Sequence, residues 1–106
     1  APTSKEERIK AAAEASTGFL YAVSLKGVTG ARSSLPPELP DFIRRVKNLS
    51  DRPVAVGFGI ATPEQARLVA EVADGVIVGS AIVRTIAENP GLDRVQSLVK
   101  GLREVI

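Results

Sequence analysis

Apolar positions recur along this chain in two alternating rhythms, helical spacing and short unbroken runs. The first segment, rich in Ala, Glu and Lys, predicts a helix over 4–17, with Ser4 and Glu7 at capping-box spacing and Gly18 as its stop. Phe19 to Leu25 is a β-type run and predicts a strand over 19–25. Residues 26–40 are rich in Gly, Ser and Pro and predict a loop longer than the usual strand-to-helix connection. Phe42, Ile43, Val46 and Leu49 then fall on one helical face, predicting a helix over 41–49. The continuous apolar run from Pro53 predicts a strand over 53–57, as expected where both faces of a parallel sheet are covered. Thr62-Pro63-Glu64-Gln65 carries the N-cap, first-turn proline and capping-box glutamine of a helix over 62–73. Asp74-Gly75 turns the chain into a strand over 76–79, and Ser80 opens a helix over 80–88. Asn89-Pro90-Gly91 breaks it, and Leu92, Val95, Leu98, Val99, Leu102 and Val105 predict a last helix over 91–106.

Strands that alternate with helices imply parallel βα units, an α/β fold with three strands and about five helices in a single domain over 1–106. Three strands do not close a barrel, and a parallel sheet needs cover on both faces. The chain is therefore expected to leave apolar sheet surface and strand edges open. It reads as a piece of a larger βα structure, or as one partner in a self-associating pair. The start at Ala1-Pro2-Thr3-Ser4, without a methionine, reads as cut from something longer or processed.

The last two strands nearly repeat each other. Val54-Ala-Val-Gly-Phe-Gly-Ile60 and Val76-Ile-Val-Gly-Ser-Ala-Ile82 each run into a glycine and then toward a helix. A strand that ends in glycine before a helix bares backbone N–H groups to a close anion. One such copy is as well explained by a strand end and an N-cap serine; two side by side favour a phosphate held between them. Gly27-Val-Thr-Gly-Ala31 lies at the end of the first strand and reads either as a turn with two glycines or as a third wall of that site. Lys26 and Arg32 read as solvated charges, with steering of a phosphate as the lesser reading.

Composition narrows the chemistry. The chain has no Cys and no His, which excludes thiol nucleophiles, disulfides, imidazole general bases and zinc sites built on them. Its net charge of +2 comes from interspersed bases and acids, and one Tyr and three Phe offer no basic–aromatic stripe, so nucleic acid is not an expected partner. No apolar run reaches a membrane span; no membrane association is expected, and a cytoplasmic location is. Carboxylates are missing where acid–base work would need them. Asp51 and Asp74 precede strands, at the end opposite any site, and most of the others fall on helices. Tyr21 reads as an interior or pocket-lining side chain.

Taken together, Tyr21-Ala-Val-Ser24, Gly27-Val-Thr-Gly-Ala31, Val56-Gly-Phe-Gly-Ile60 and Gly79-Ser-Ala-Ile-Val83 resemble the α subunit of tryptophan synthase, in order and spacing over the whole chain. The resemblance implies strands six to eight of a (β/α)8 TIM barrel, and a family reaction that cleaves indole-3-glycerol phosphate to indole and glyceraldehyde 3-phosphate. It implies that Gly30, Phe58, Gly59, Gly79 and Ser80 surround the substrate phosphate. Tyr21 would line the pocket, and Thr29 would sit in a loop that closes over it. It implies no cofactor in this chain, since pyridoxal phosphate belongs to the partner β subunit. The family's catalytic Glu and Asp lie on and after the second strand, so no catalytic residue is expected here. The chain alone is expected to be inactive, and its partners to be the phosphate ligand, the β subunit, and either an N-terminal half-barrel or a second copy.

Overall fold

A computed structural model of the chain describes residues 4–23, 37–57 and 59–106. The elements run α1 (Glu6–Ala15), β1 (Leu20–Val23), α2 (Glu38–Leu49), β2 (Val54–Gly57), α3 (Pro63–Ala70), β3 (Gly75–Val76), α4 (Ser80–Glu88) and α5 (Asp93–Glu104). The strands form one parallel sheet in the order β1-β2-β3. Leu20 pairs with Val54 and Val23 with Gly57; Ala55 pairs with Gly75 and Val56 with Val76.

The sheet has a covered face and an open one. Side chains alternate across a strand, so Leu20, Ala22, Val54 and Val56 point one way, into the core. The helices close over them. α2 contributes Leu39, Phe42, Ile43 and Val46, four apolar residues on one stripe, each buried. Burial of side chains of this size stabilises the fold by about 1.5–3 kcal/mol apiece before entropy is counted. Ile9 and Ala13 of α1, Ala66 and Val69 of α3, and Leu102 of α5 join the cluster, with Ile60 and Ala73 from the segments flanking α3. The other face carries Tyr21 and Val23, with Phe19 just before the strand, and all three are exposed. This is the uncovered apolar sheet surface that three strands alone were expected to leave.

Polar contacts fix the helices to one another and to the strand starts. Arg45 on α2 stacks over Phe42 at 5.6 Å and donates to the Ser4 carbonyl at 3.0 Å. Arg52 Nε donates to the Ala13 carbonyl at 2.9 Å. Asp74, in the turn before β3, accepts the Val54 N–H at 2.9 Å and Lys47 Nζ at 3.2 Å. Its carboxyl is held below the usual range, first by the Val54 N–H and then by Lys47.

Several boundaries depart from the pattern. The Ser4–Glu7 capping box is not formed: Lys5 is the N-cap of α1 and no side chain caps it. α2 starts at Glu38 rather than 41, because Pro40 falls in the first turn, where a helix needs no N–H donor. β3 stops at Val76, although the Ile77 N–H still donates to the Val56 carbonyl at 2.8 Å. Its ladder ends because β2 itself ends at Gly57.

Candidate functional site

Where the strands hand over to the following segments, a cleft of about 650 Å³ opens on the uncovered face. Tyr21 of β1, Gly59 and Gln65 from the β2–α3 segment, Ile77 after β3, and Gly79, Ser80 and Arg84 at the start of α4 line it. The structure thus brings together Tyr21, Gly59, Gly79 and Ser80 from the predicted set. Gly30, Thr29 and Phe58, with the Gly27–Ala31 segment, lie outside the described residues.

Each wall has a local cause. Gly59 has φ +82°, a backbone conformation that side chains disfavour, so glycine is required for the chain to turn there. The turn is then locked by Thr62 and Gln65. The Gln65 N–H donates to Thr62 Oγ1 at 3.3 Å, while the N–H groups of Thr62 and Ala61 donate to Gln65 Oε1 at 3.1 and 2.8 Å. Gln65 is only 4% exposed. A buried amide that accepts two N–H groups holds the backbone just after Gly59 in one place.

The α4 end differs in character. Gly79 is the N-cap and Ser80 the first helical residue, with no side-chain cap. The Gly79 carbonyl accepts from the N–H groups of Ile82 and Val83 at 3.0 and 3.2 Å. The N–H groups of Ser80 and Ala81 have no partner among the described residues, as first-turn donors lack helical acceptors. A Cβ built on Gly79 would meet nothing within 4 Å, so this glycine borders open space. Two N–H donors without a partner among the described residues, a serine hydroxyl and a positive helix end therefore border the cleft.

Gly57 has the opposite surroundings. A Cβ there would lie 2.6 Å from Tyr21 Oη and 3.0 Å from Ile77 Cβ. The Tyr21 ring crosses Gly57, and only a residue without a side chain lets it do so. The sequence pattern read Gly57 as a strand end; its contact with Tyr21 follows from strand register, which sequence periodicity does not display.

Arg84 is the other feature the pattern missed. It stands four residues after Ser80, one helical turn on, and so shares its face. It is the single charged residue among those described around the cleft. The groove at the opposite ends of the strands is lined by both signs, with Lys10 and Arg52 beside Glu14 and Asp51. Among the described residues no cluster of three His, Cys, Asp or Glu could hold a metal ion, and no helix is long and apolar enough to cross a membrane.

Parallel βα units with their cleft at the carboxyl ends of the strands define a portion of a (β/α)8 barrel protein. The family model for the tryptophan synthase alpha chain matches residues 1–104, and the chain belongs to that family. A tryptophan synthase alpha chain of Dehalococcoides mccartyi is 49% identical over 98% of this chain and 41% of the relative. That of Geobacillus kaustophilus is 57% identical over 83% of this chain and 32% of the relative. The chain thus spans well under half the length of these curated relatives. Among solved structures, tryptophan synthase of Mycobacterium tuberculosis superposes with a TM-score of 0.84 at 47% identity, covering 99% of this chain and 39% of that one. The tryptophan synthase α2β2 complex of Pyrococcus furiosus gives 0.75 at 42% identity, covering 98% and 42%.

Proposed function

We propose that this chain forms the phosphate-gripping part of a tryptophan synthase alpha chain. It would serve tryptophan biosynthesis by holding indole-3-glycerol phosphate while the substrate is cleaved to indole and glyceraldehyde 3-phosphate. The observation that carries the reading is the start of α4, where the N–H groups of Ser80 and Ala81 have no partner among the described residues and Gly79 borders open space. A phosphate there would accept both donors and the Ser80 hydroxyl, with the helix dipole favouring its charge. Gly59, fixed by Gln65, would bring backbone in from the other side, with Gly30 and Phe58 completing the grip. Tyr21 would wall the pocket, and Thr29 would belong to the closing loop.

The described lining of the cleft holds no carboxylate. The acid–base groups of the reaction would come from strands outside this segment, which would also cover Phe19, Tyr21 and Val23 as the interior of a closed barrel. A β subunit would be the partner, as in the α2β2 complex of the Pyrococcus furiosus protein. The barrel-fragment reading accounts for the open face more simply than a self-associating half-barrel does, because the interior of a barrel is the face that three strands leave bare.

Titration calorimetry with inorganic phosphate and glycerol 3-phosphate tests the site. Ser80→Asp puts a carboxylate at the mouth of the α4 N-terminus and is expected to abolish binding of both. Unchanged affinity in a folded Ser80→Asp protein would refute the assignment.

A further inference from the structure

We infer that Arg84 sets the charge preference of the cleft, acting as a cation that draws a doubly charged phosphate toward Ser80 and discriminates against neutral polyols of the same shape. The inference rests on the phosphate reading above and adds a residue to it.

Three observations carry it. Arg84 lines the same cleft as Gly79 and Ser80. The residues described around the cleft otherwise include no Lys, Arg, Asp or Glu, so no carboxylate among them opposes Arg84 there. Arg84 has no hydrogen bond or ion pair among the described residues, although Glu88 stands at the next (i, i+4) position of α4. Two other arginines on helices do pair with a carboxylate one turn away, Arg44 with Asp41 at 2.9 Å and Arg67 with Glu71 at 3.0 Å. A guanidinium and two backbone donors, none with a partner among the described residues, leave the cleft positively biased.

The physics fixes the size of the effect. Arg84 is exposed, so its charge acts through a water-like dielectric. Removal of a unit charge about 6 Å from a dianion then weakens binding about tenfold, and charge reversal weakens it about a hundredfold. Because the interaction runs through solvent, salt of about 1 M, with a screening length of about 3 Å, suppresses it. A hydrogen bond made directly by a buried donor would persist.

The test is calorimetry with glycerol 3-phosphate and with glycerol, at low salt and in about 1 M salt. The proteins compared are the unaltered chain, Arg84→Gln, Arg84→Lys and Arg84→Glu. Support is a loss of about tenfold in Arg84→Gln and about a hundredfold in Arg84→Glu at low salt. Arg84→Lys should stay within twofold, and the differences should collapse at high salt. Equal affinities for all four proteins at low salt would overturn the role of Arg84 while leaving the phosphate site standing. No binding of glycerol 3-phosphate by the unaltered chain would remove the site and this inference with it.

Discussion

At the scale of single residues, the glycines near the cleft have different reasons to be glycine. Gly59 supplies a backbone conformation, Gly79 leaves space, and Gly57 permits a contact. The third makes the sharpest prediction. Gly57→Ala places a methyl 2.6 Å from Tyr21 Oη and 3.0 Å from Ile77 Cβ, and Ile77 is backbone-anchored through its N–H to Val56. The ring must move, and because it stands on the open face its displacement costs about 1 kcal/mol, the low end for overpacking. Denaturant unfolding should show that loss in the single variant and much less of it when Tyr21→Ala is added. An equal loss with and without Tyr21 would mean the strain lies elsewhere. None of this was legible in the sequence, where Gly57 and Gly79 occupy matching places in two similar runs. Their difference arises from which neighbour the sheet register sets against each.

At the scale of elements, helices with strong apolar periodicity or explicit caps were the most readable. The Thr62–Gln65 box is present with both of its hydrogen bonds, and the α2 face is the one that Phe42, Ile43 and Val46 mark. The Ser4–Glu7 box has the same spacing and does not form, since spacing permits a cap without enforcing the backbone entry that a cap needs. β3 was read as longer than it is because an apolar run does not reveal where its neighbour's ladder ends. Asp74 links these elements, tying the start of β2 to α2 through Val54 and Lys47. Its folded pKa is depressed, so its stabilisation is present above the unfolded carboxyl value of about 4. That stabilisation is lost as pH falls through the lower folded value. Asp74→Asn should therefore lower stability by about 0.5–1 kcal/mol at neutral pH, with the gap to the unaltered chain closing in strong acid. Unfolding curves at the two pH values measure it. Solvent around Lys47 and Asp74, which are 41% and 46% exposed, keeps the ion-pair share of that figure small.

For the molecule as a whole, the α/β class, and among the described residues the five helices and the parallel order of three strands, were readable because strand–helix alternation leaves few topologies. The candidate site was readable as far as the strand ends and the twin glycines. Arg84 and the added contact of Gln65 with the Ala61 N–H were not, because both depend on how the chain before and after the cap turns toward the cleft. With no carboxylate in the described lining of the cleft, the 106-residue chain by itself should release no indole from indole-3-glycerol phosphate above the uncatalysed rate. A coupled or spectroscopic indole assay checks this, and turnover by the purified chain would place the reacting groups within it.

The exposed ring of Tyr21 has one more consequence. The chain contains a single tyrosine and no tryptophan, and that tyrosine forms part of the cleft wall beside Gly59 and Ser80. Its near-ultraviolet emission therefore originates almost wholly from the site. The protein carries an intrinsic optical reporter at the place where a ligand would enter, and occupancy can be followed by light without any attached label.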